Sequence, residues 1–215
     1  YAAARESTLT AFYTPPAVIR AVYQELERIG ITSGEILEPS CGIGTFLGLC
    51  PESMQNCHFS GVELDSISGR IAQQLYPQSA IQVNGFEKTH FQDNAFVAAV
   101  GNVPFGDFSV YDATYDSHHF LIHDYFFAKT LDKVCPGGIV ALITSKGTMD
   151  KENASVRQYL AERAELLGAI RLPNTTFKYA AGTEVTSDIL FLRKRTEPMT
   201  ELPEWVQLKP DANGI

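Results

Sequence analysis

Cysteine is scarce and unpatterned in this chain. The four present, Cys41, Cys50, Cys57 and Cys135, form no CxxC pair and no regular framework, which excludes a disulfide scaffold and points to reduced thiols in a cytoplasmic setting. Long hydrophobic runs are missing too: no stretch approaches about 18 consecutive apolar residues, so no membrane span is expected. Positive charge is in deficit, with 17 Lys and Arg against 25 Asp and Glu and a formal net charge of −8. A stand-alone nucleic-acid-binding domain is usually basic, because phosphate contacts dominate affinity. This chain is therefore not expected to grip nucleic acid by itself; another domain or subunit would do so. An initiating methionine and a charged-then-apolar leader are also absent, since the sequence begins at Tyr1. The expectation is a piece of a longer protein without a secretion signal.

What is present suffices for one full-sized globular domain: 215 residues, 45% of them hydrophobic. After the turn FYTPP, the residues Val18, Ile19, Val22, Leu26 and Ile29 fall at helical spacing, with Pro16 suited to a first turn and Gly30 to a stop. A short strand (Ile36, Leu37), a glycine loop and a helix opening near Thr45 follow. HFSGVELD, AIQVNGF and FVAAVGN read as further strands, with a helix in SISGRIAQQLY. HHFLIHDYFFAKTLDKVCPGG reads as a long helix, GIVALITSKG as the most apolar strand, and NASVRQYLAERAELLG as a helix with a glycine stop. Such alternation predicts an α/β domain around a largely parallel sheet. The last two strands, GAIRLP and DILFLRKR, have no helix between them, so one should run antiparallel. The connection between them, residues 173–187, is long enough to be a functional loop.

The loop Glu38-Pro39-Ser40-Cys41-Gly42-Ile43-Gly44-Thr45-Phe46 lies where a first strand turns into its helix, the place where parallel sheets bind ligands. Glycines at 42 and 44 permit close backbone approach. A dinucleotide fingerprint needs a third glycine at 47, where Leu47 stands, and the Lys-Ser/Thr of a phosphate-gripping loop is missing. A nucleoside ligand without a pyrophosphate fits better; a tight strand-to-helix turn is the bland alternative. Glu63 closes the second strand roughly 20 residues on, where an acid accepts both hydroxyls of a ribose. Leu64 could lie against an adenine face. Asn84, Gly85 and Phe86 end the third strand at the same rim, although Phe86 alone also reads as core.

Taken in order, FYTPP, EPSCGIGTF, GVELD, NGF, GNVPF, GGIVALITSKG and LPNTTF with TSDILFLRK resemble S-adenosylmethionine-dependent DNA adenine-N6 methyltransferases of the gamma arrangement. The character is that of modification subunits of type I restriction systems and of methylase domains fused to helicases on mobile elements. The resemblance covers about residues 10 to 195 and implies a Rossmann-like class I methyltransferase fold. That fold has a seven-stranded, mostly parallel sheet with one antiparallel strand and helices on both faces. It also implies that Tyr13, Thr14 and Pro15 pack over the methionine part of S-adenosylmethionine. Glu38, Pro39, Ser40, Gly42 and Gly44 would hold its amino-acid end and backbone, with Phe46 nearby, Glu63 on the ribose, and Leu64, Gly85 and Phe86 around the adenine.

In GNVPF the family pattern Asn/Asp-Pro-Pro-aromatic has valine as its second letter. An adenine amine is a poor nucleophile because its lone pair is shared with the ring, and two acceptors on its hydrogens draw it toward an attacking geometry. The resemblance assigns these to the Asn102 side-chain oxygen and the Val103 carbonyl. A carbonyl survives the change of side chain, and Pro104 still restricts Val103 to extended conformations. Phe105 would stack on a base extruded from the duplex. DNA is the implied substrate, reached through a target-recognition region outside this chain, with a helicase or specificity subunit as partner.

His118, His119 and His123 are placed on one helix, but without a third ligand at suitable spacing no metal site is expected. Asp107 and Asp112 read as loop acids on a solvated face. Residues 1–195 are read as the methyltransferase domain and 196–215, with three prolines, as a linker. Two other readings stay open from sequence: a methyltransferase acting on protein glutamine or RNA, and a non-catalytic cofactor-binding module.

Overall fold

The computed structural model describes residues 13–178 and 184–209. Helix α1 (Pro16–Ile29) starts on a proline and stops at Gly30 in the left-handed region, φ 99°, the start and stop chemistry expected of it. Its inner stripe, Ile19, Val22, Tyr23 and Leu26, is buried. Then come β1 (Ser33–Glu38), the short α2 (Thr45–Gly48), β2 (Asn56–Glu63), α3 (Ser66–Leu75), β3 (Ala80–Val83) and β4 (Phe96–Asn102). The remaining elements are α4 (Ile122–Lys133), β5 (Val134–Ser145), α5 (Gly147–Asp150), α6 (Ser155–Arg163), β6 (Ala164–Leu172) and β7 (Ser187–Lys194).

One seven-stranded sheet has the order β3-β2-β1-β4-β5-β7-β6. The first five of these are parallel, and β7 runs antiparallel to both β5 and β6. Successive strand residues alternate between two cores, as a pleat requires. Ile36, Ala98, Val100, Ile139, Ala141 and Ile143 face α1, α2 and α3; Leu37, Ala99, Val140 and Leu142 face α4 and α6. The result is an α/β/α sandwich. The chain leaves β1 toward β2 and β3 on one side and returns to β4 and β5 on the other, so a crevice opens between the carboxyl ends of β1 and β4.

Four features differ from the sequence reading. The helix expected to stop at Gly168 ends at Arg163, because Ala164–Leu166 instead pair with β7; Gly168 follows a register shift in that pairing. The long helix begins only at Ile122. His118 closes a 3-10 turn and His119 sits at φ 52°, so only His123 of the three histidines is helical. Asp112 is not on a solvated face: it accepts hydrogen bonds from Tyr125 Oη (2.8 Å) and Lys129 Nζ (3.1 Å), which project inward from α4. Residues 196–209, read as part of a linker, lie against α6. Val206 is fully buried, the Met199 N–H donates to the Glu162 carbonyl, and buried Arg157 donates to the carbonyls of Val206, Met149 and Lys151. No helix among the described residues is long and apolar enough to cross a membrane.

Candidate functional site

A cavity of about 230 Å³ occupies the crevice beyond β1 and β4. Its floor is the β1 exit, Glu38 to Ile43, with Thr45 and Phe46. One wall is Glu63, Leu64, Asp65 and Ser68, another is Asn84 to Glu87, and the far end is Asn102, Val103 and Pro104. Tyr13 and Thr14 reach it from the chain start.

The β1–α2 loop uses its glycines differently. Gly42 has φ 56° with open space where a side chain would be, so its backbone angle is what matters: it aims an N–H at Glu63 Oε2, 2.7 Å away. Gly44 has φ 84°, and a Cβ there would overlap the Tyr76 ring, so it is a close-approach position. Tyr23 Oη of α1 donates to the Phe46 carbonyl at 2.8 Å and steadies α2 from behind.

Two carboxylates dominate the electrostatics. Glu63 accepts from Gly42 N–H and, through Oε1, from Asp65 N–H at 2.7 Å. Burial pushes its pKa up, opposed by those amides. Each oxygen keeps a further lone pair for a ligand hydroxyl. Glu38 is 2% exposed, and its Oε2 has no hydrogen-bond partner among the described residues. Burial, and then the charge of Glu63, holds its carboxyl well above the ordinary range. A buried carboxyl left without a partner among the described residues, in a ligand-sized cleft, suits a cationic or donor group of a ligand. The ammonium of an amino-acid moiety meets that need, the acid at β2 suits a ribose, and the apolar walls of Leu64, Phe86 and Phe126 suit a nucleobase. The donor set thus fits S-adenosylmethionine.

At the other end, Ser40 Oγ donates to the Asn102 carbonyl (2.8 Å) and the Val103 N–H donates to the Ile143 carbonyl (3.1 Å). The Val103 side chain is 1% exposed and sits in the core on the α4 side.

Of the residues singled out in the sequence, Tyr13, Thr14, Glu38, Pro39, Ser40, Gly42, Phe46, Glu63, Leu64, Gly85, Phe86, Asn102, Val103 and Pro104 line this one cavity. Three do not. Pro15 opens α1, its carbonyl accepting from Val18 N–H; Gly44 faces Tyr76; and Phe105 packs half-buried against the edges of both cores. Asp65, Phe108, Val110, Ile122 and Phe126 line the cavity without having been singled out. Phe108, 51% exposed, was within reach of sequence reading, since it follows the tetrapeptide in GDF. Ile122 and Phe126 carry no signal of their own; they arrive because α4 packs on the sheet at β5.

The sheet order, the antiparallel β7 and the cleft at the switch point define a Rossmann-like class I methyltransferase fold. The comparisons agree and narrow it: residues 1–202 match the family described as N-6 DNA Methylase, and the chain belongs to that family. It is 33% identical over 200 residues to the defense against restriction protein B of Escherichia phage P1, covering 90% of this chain and 9% of that protein. Modification methylase CviBIII of Paramecium bursaria Chlorella virus NC1A is 29% identical over 102 residues, 47% of this chain and 27% of that one. A modification subunit of a putative type I restriction enzyme from Vibrio vulnificus YJ016 superimposes with a TM-score of 0.71 at 21% identity, covering 88% of this chain and 45% of that one. The chain thus spans less than half the length of each of these relatives.

Proposed function

We propose that this chain carries the catalytic domain for methyl transfer from S-adenosylmethionine to the N6 amine of adenine in DNA. The observation that carries the reading is the meeting, in one cleft, of an acid-lined nucleoside pocket and the Asn102–Val103 end of β4. Family membership and the methylase relatives support it. When bound, S-adenosylmethionine supplies an electrophilic methyl group. Glu38 would hold the ammonium of its amino-acid end, Glu63 the ribose hydroxyls, and Leu64 and Phe86 the adenine ring. The Asn102 side-chain oxygen and the Val103 carbonyl each accept a hydrogen of the target amine, directing its lone pair at the methyl. Phe105 or the more open Phe108 stacks on the extruded base. The work of these residues is positioning and charge placement.

Target recognition belongs to regions outside this chain, and a helicase or specificity subunit is the partner class we infer. The charge of −8 supports this, as do three cations near the cleft end of the sheet that are already paired: Arg171 with Asp188 and Asp150, Lys178 with Glu184, and Lys151 with Asp124. The test offers labelled S-adenosylmethionine to the complete parent protein with unmethylated DNA, RNA and protein, beside Asn102→Ala. Label is expected on DNA adenine, falling by about 10²–10³-fold in the variant. Label on RNA or protein alone would replace the substrate class. Label on DNA at an unchanged rate in Asn102→Ala would remove Asn102 from the chemistry.

A further inference from the structure

The Asn102–Val103 peptide group is held at both ends. Its carbonyl accepts from Ser40 Oγ at 2.8 Å, and its N–H donates to the Ile143 carbonyl at 3.1 Å. The two partners come from the two strands flanking β4: Ser40 follows β1, and Ile143 lies in β5. Their origins differ for a structural reason. On the β5 side the register still runs through Asn102↔Ile143, so the ladder supplies a carbonyl. On the β1 side the register covers only Ile36↔Ala98 and Leu37↔Ala99, after which the chain turns into the glycine loop. The Asn102 carbonyl is past the last backbone partner on that side, and a side-chain hydroxyl fills the gap, as half-buried backbone groups require.

A peptide group is rigid and planar, so the rotations that re-aim it are those about the bonds to its two flanking Cα atoms. Hydrogen bonds from opposite sides oppose such rotation and so fix how the Cα atoms of Asn102 and Val103 are joined, the one bearing the amide side chain and the other leading into the next carbonyl. Proline at 103, the letter of the family pattern, has no N–H and would leave only the Ser40 bond. Valine supplies the second bond and is itself anchored in the core.

We propose that Ser40 is a positioning residue for methyl transfer. With the Val103 amide it fixes the peptide plane that joins the two acceptor-bearing residues, Asn102 through its side chain and Val103 through the carbonyl of the following peptide, and so ties the cofactor loop to the acceptors' aim. This rests on the function proposed above. It separates Ser40 from the cofactor contacts around it: its hydroxyl is committed to β4, and its variants act on turnover and not on cofactor affinity.

The parent protein is compared as wild type, Ser40→Ala, Ser40→Thr and Val103→Pro. For Ser40→Ala, kcat is expected to fall about five- to tenfold, as for loss of one neutral hydrogen bond. Calorimetric affinity for S-adenosylmethionine should stay within about twofold, and Ser40→Thr, which keeps the hydroxyl, should recover most of the rate. Val103→Pro should fall in the same direction and be non-additive with Ser40→Ala, since both act on one peptide. Should Val103→Pro not fold, the two Ser40 variants carry the test. Hydrogen exchange over residues 100–105 gives a readout independent of activity: Ser40→Ala should lose protection there and Ser40→Thr keep it. If the wild type labels no DNA, the proposed function fails while this exchange comparison still decides the lock. Unchanged exchange and kcat in Ser40→Ala would overturn the inference, as would a loss confined to cofactor affinity.

Discussion

Glu38 is a buried acid whose outer oxygen finds no partner among the described residues, and its carboxyl is held above the ordinary range first by burial and then by Glu63. With the cleft empty, the folded state therefore keeps a proton that the unfolded chain releases. Stability from this group is present at low pH and lost as pH rises through the raised folded value. A cofactor ammonium needs the ionised form, so affinity should start to fall, on acidification, at a higher pH than an ordinary carboxylate would give. Glu38→Gln should flatten both dependences and weaken S-adenosylmethionine by about 10- to 100-fold. It should leave the melting temperature of the cofactor-free domain no lower. Calorimetry and thermal melts across pH check this; a variant that melts lower while binding normally would make Glu38 purely structural. The sequence placed Glu38 and Glu63 at the cleft because both stand at strand ends, where topology puts ligands. It did not show that Ser40 bonds to Asn102, because that partner lies 62 residues away and the strand order must be known first. Phe105 shows the same limit from the other side: a motif letter names a residue type, whereas its half-buried packing against both cores depends on neighbours the motif does not contain.

At the scale of elements, the β1–α2 loop separates two uses of glycine. Gly44→Ala forces a left-handed backbone on alanine and drives a methyl into Tyr76, an expected loss of about 2–3 kcal/mol. Gly42→Ala bears only the backbone part, about 1 kcal/mol, because nothing occupies the space around it. Urea unfolding of the two variants without cofactor measures the difference; equal losses would show that crowding by Tyr76 is immaterial. Both glycines were visible in the sequence, but the ring that distinguishes them sits at the end of α3. Strand and helix alternation was legible for a simpler reason: β4 and β5 are buried on both faces and read as apolar runs. The end of α6 was not, since Ala164–Leu166 have helix-compatible side chains and become a strand only because β7 offers a ladder.

Across the whole molecule, Arg157 joins parts distant in sequence. Buried with carbonyls as its partners, it holds the end of α5 through Met149 and Lys151, and the C-terminal segment through Val206. Arg157→Met should release that segment at a loss of about 3 kcal/mol. Limited proteolysis should then cut residues 196–209 sooner than in the wild type, with Arg157→Lys between the two because an ammonium matches fewer carbonyls. An unchanged cleavage rate would show that Val206 and its neighbours dock without the arginine. The formal charge of −8 belongs to this scale as well. It made a self-sufficient DNA grip implausible from composition alone, while the pairing of Lys151 and Arg171 appears only once the chain is folded.

The doubly held peptide at the end of β4 has a consequence for how such sites are sought. A scan for the letters Asn-Pro-Pro passes over this chain. A geometric query for an asparagine whose following amide and own carbonyl are both engaged by the adjoining strands would find it. Such a query would also gather sequences in which the second position varies freely, so long as it keeps an N–H.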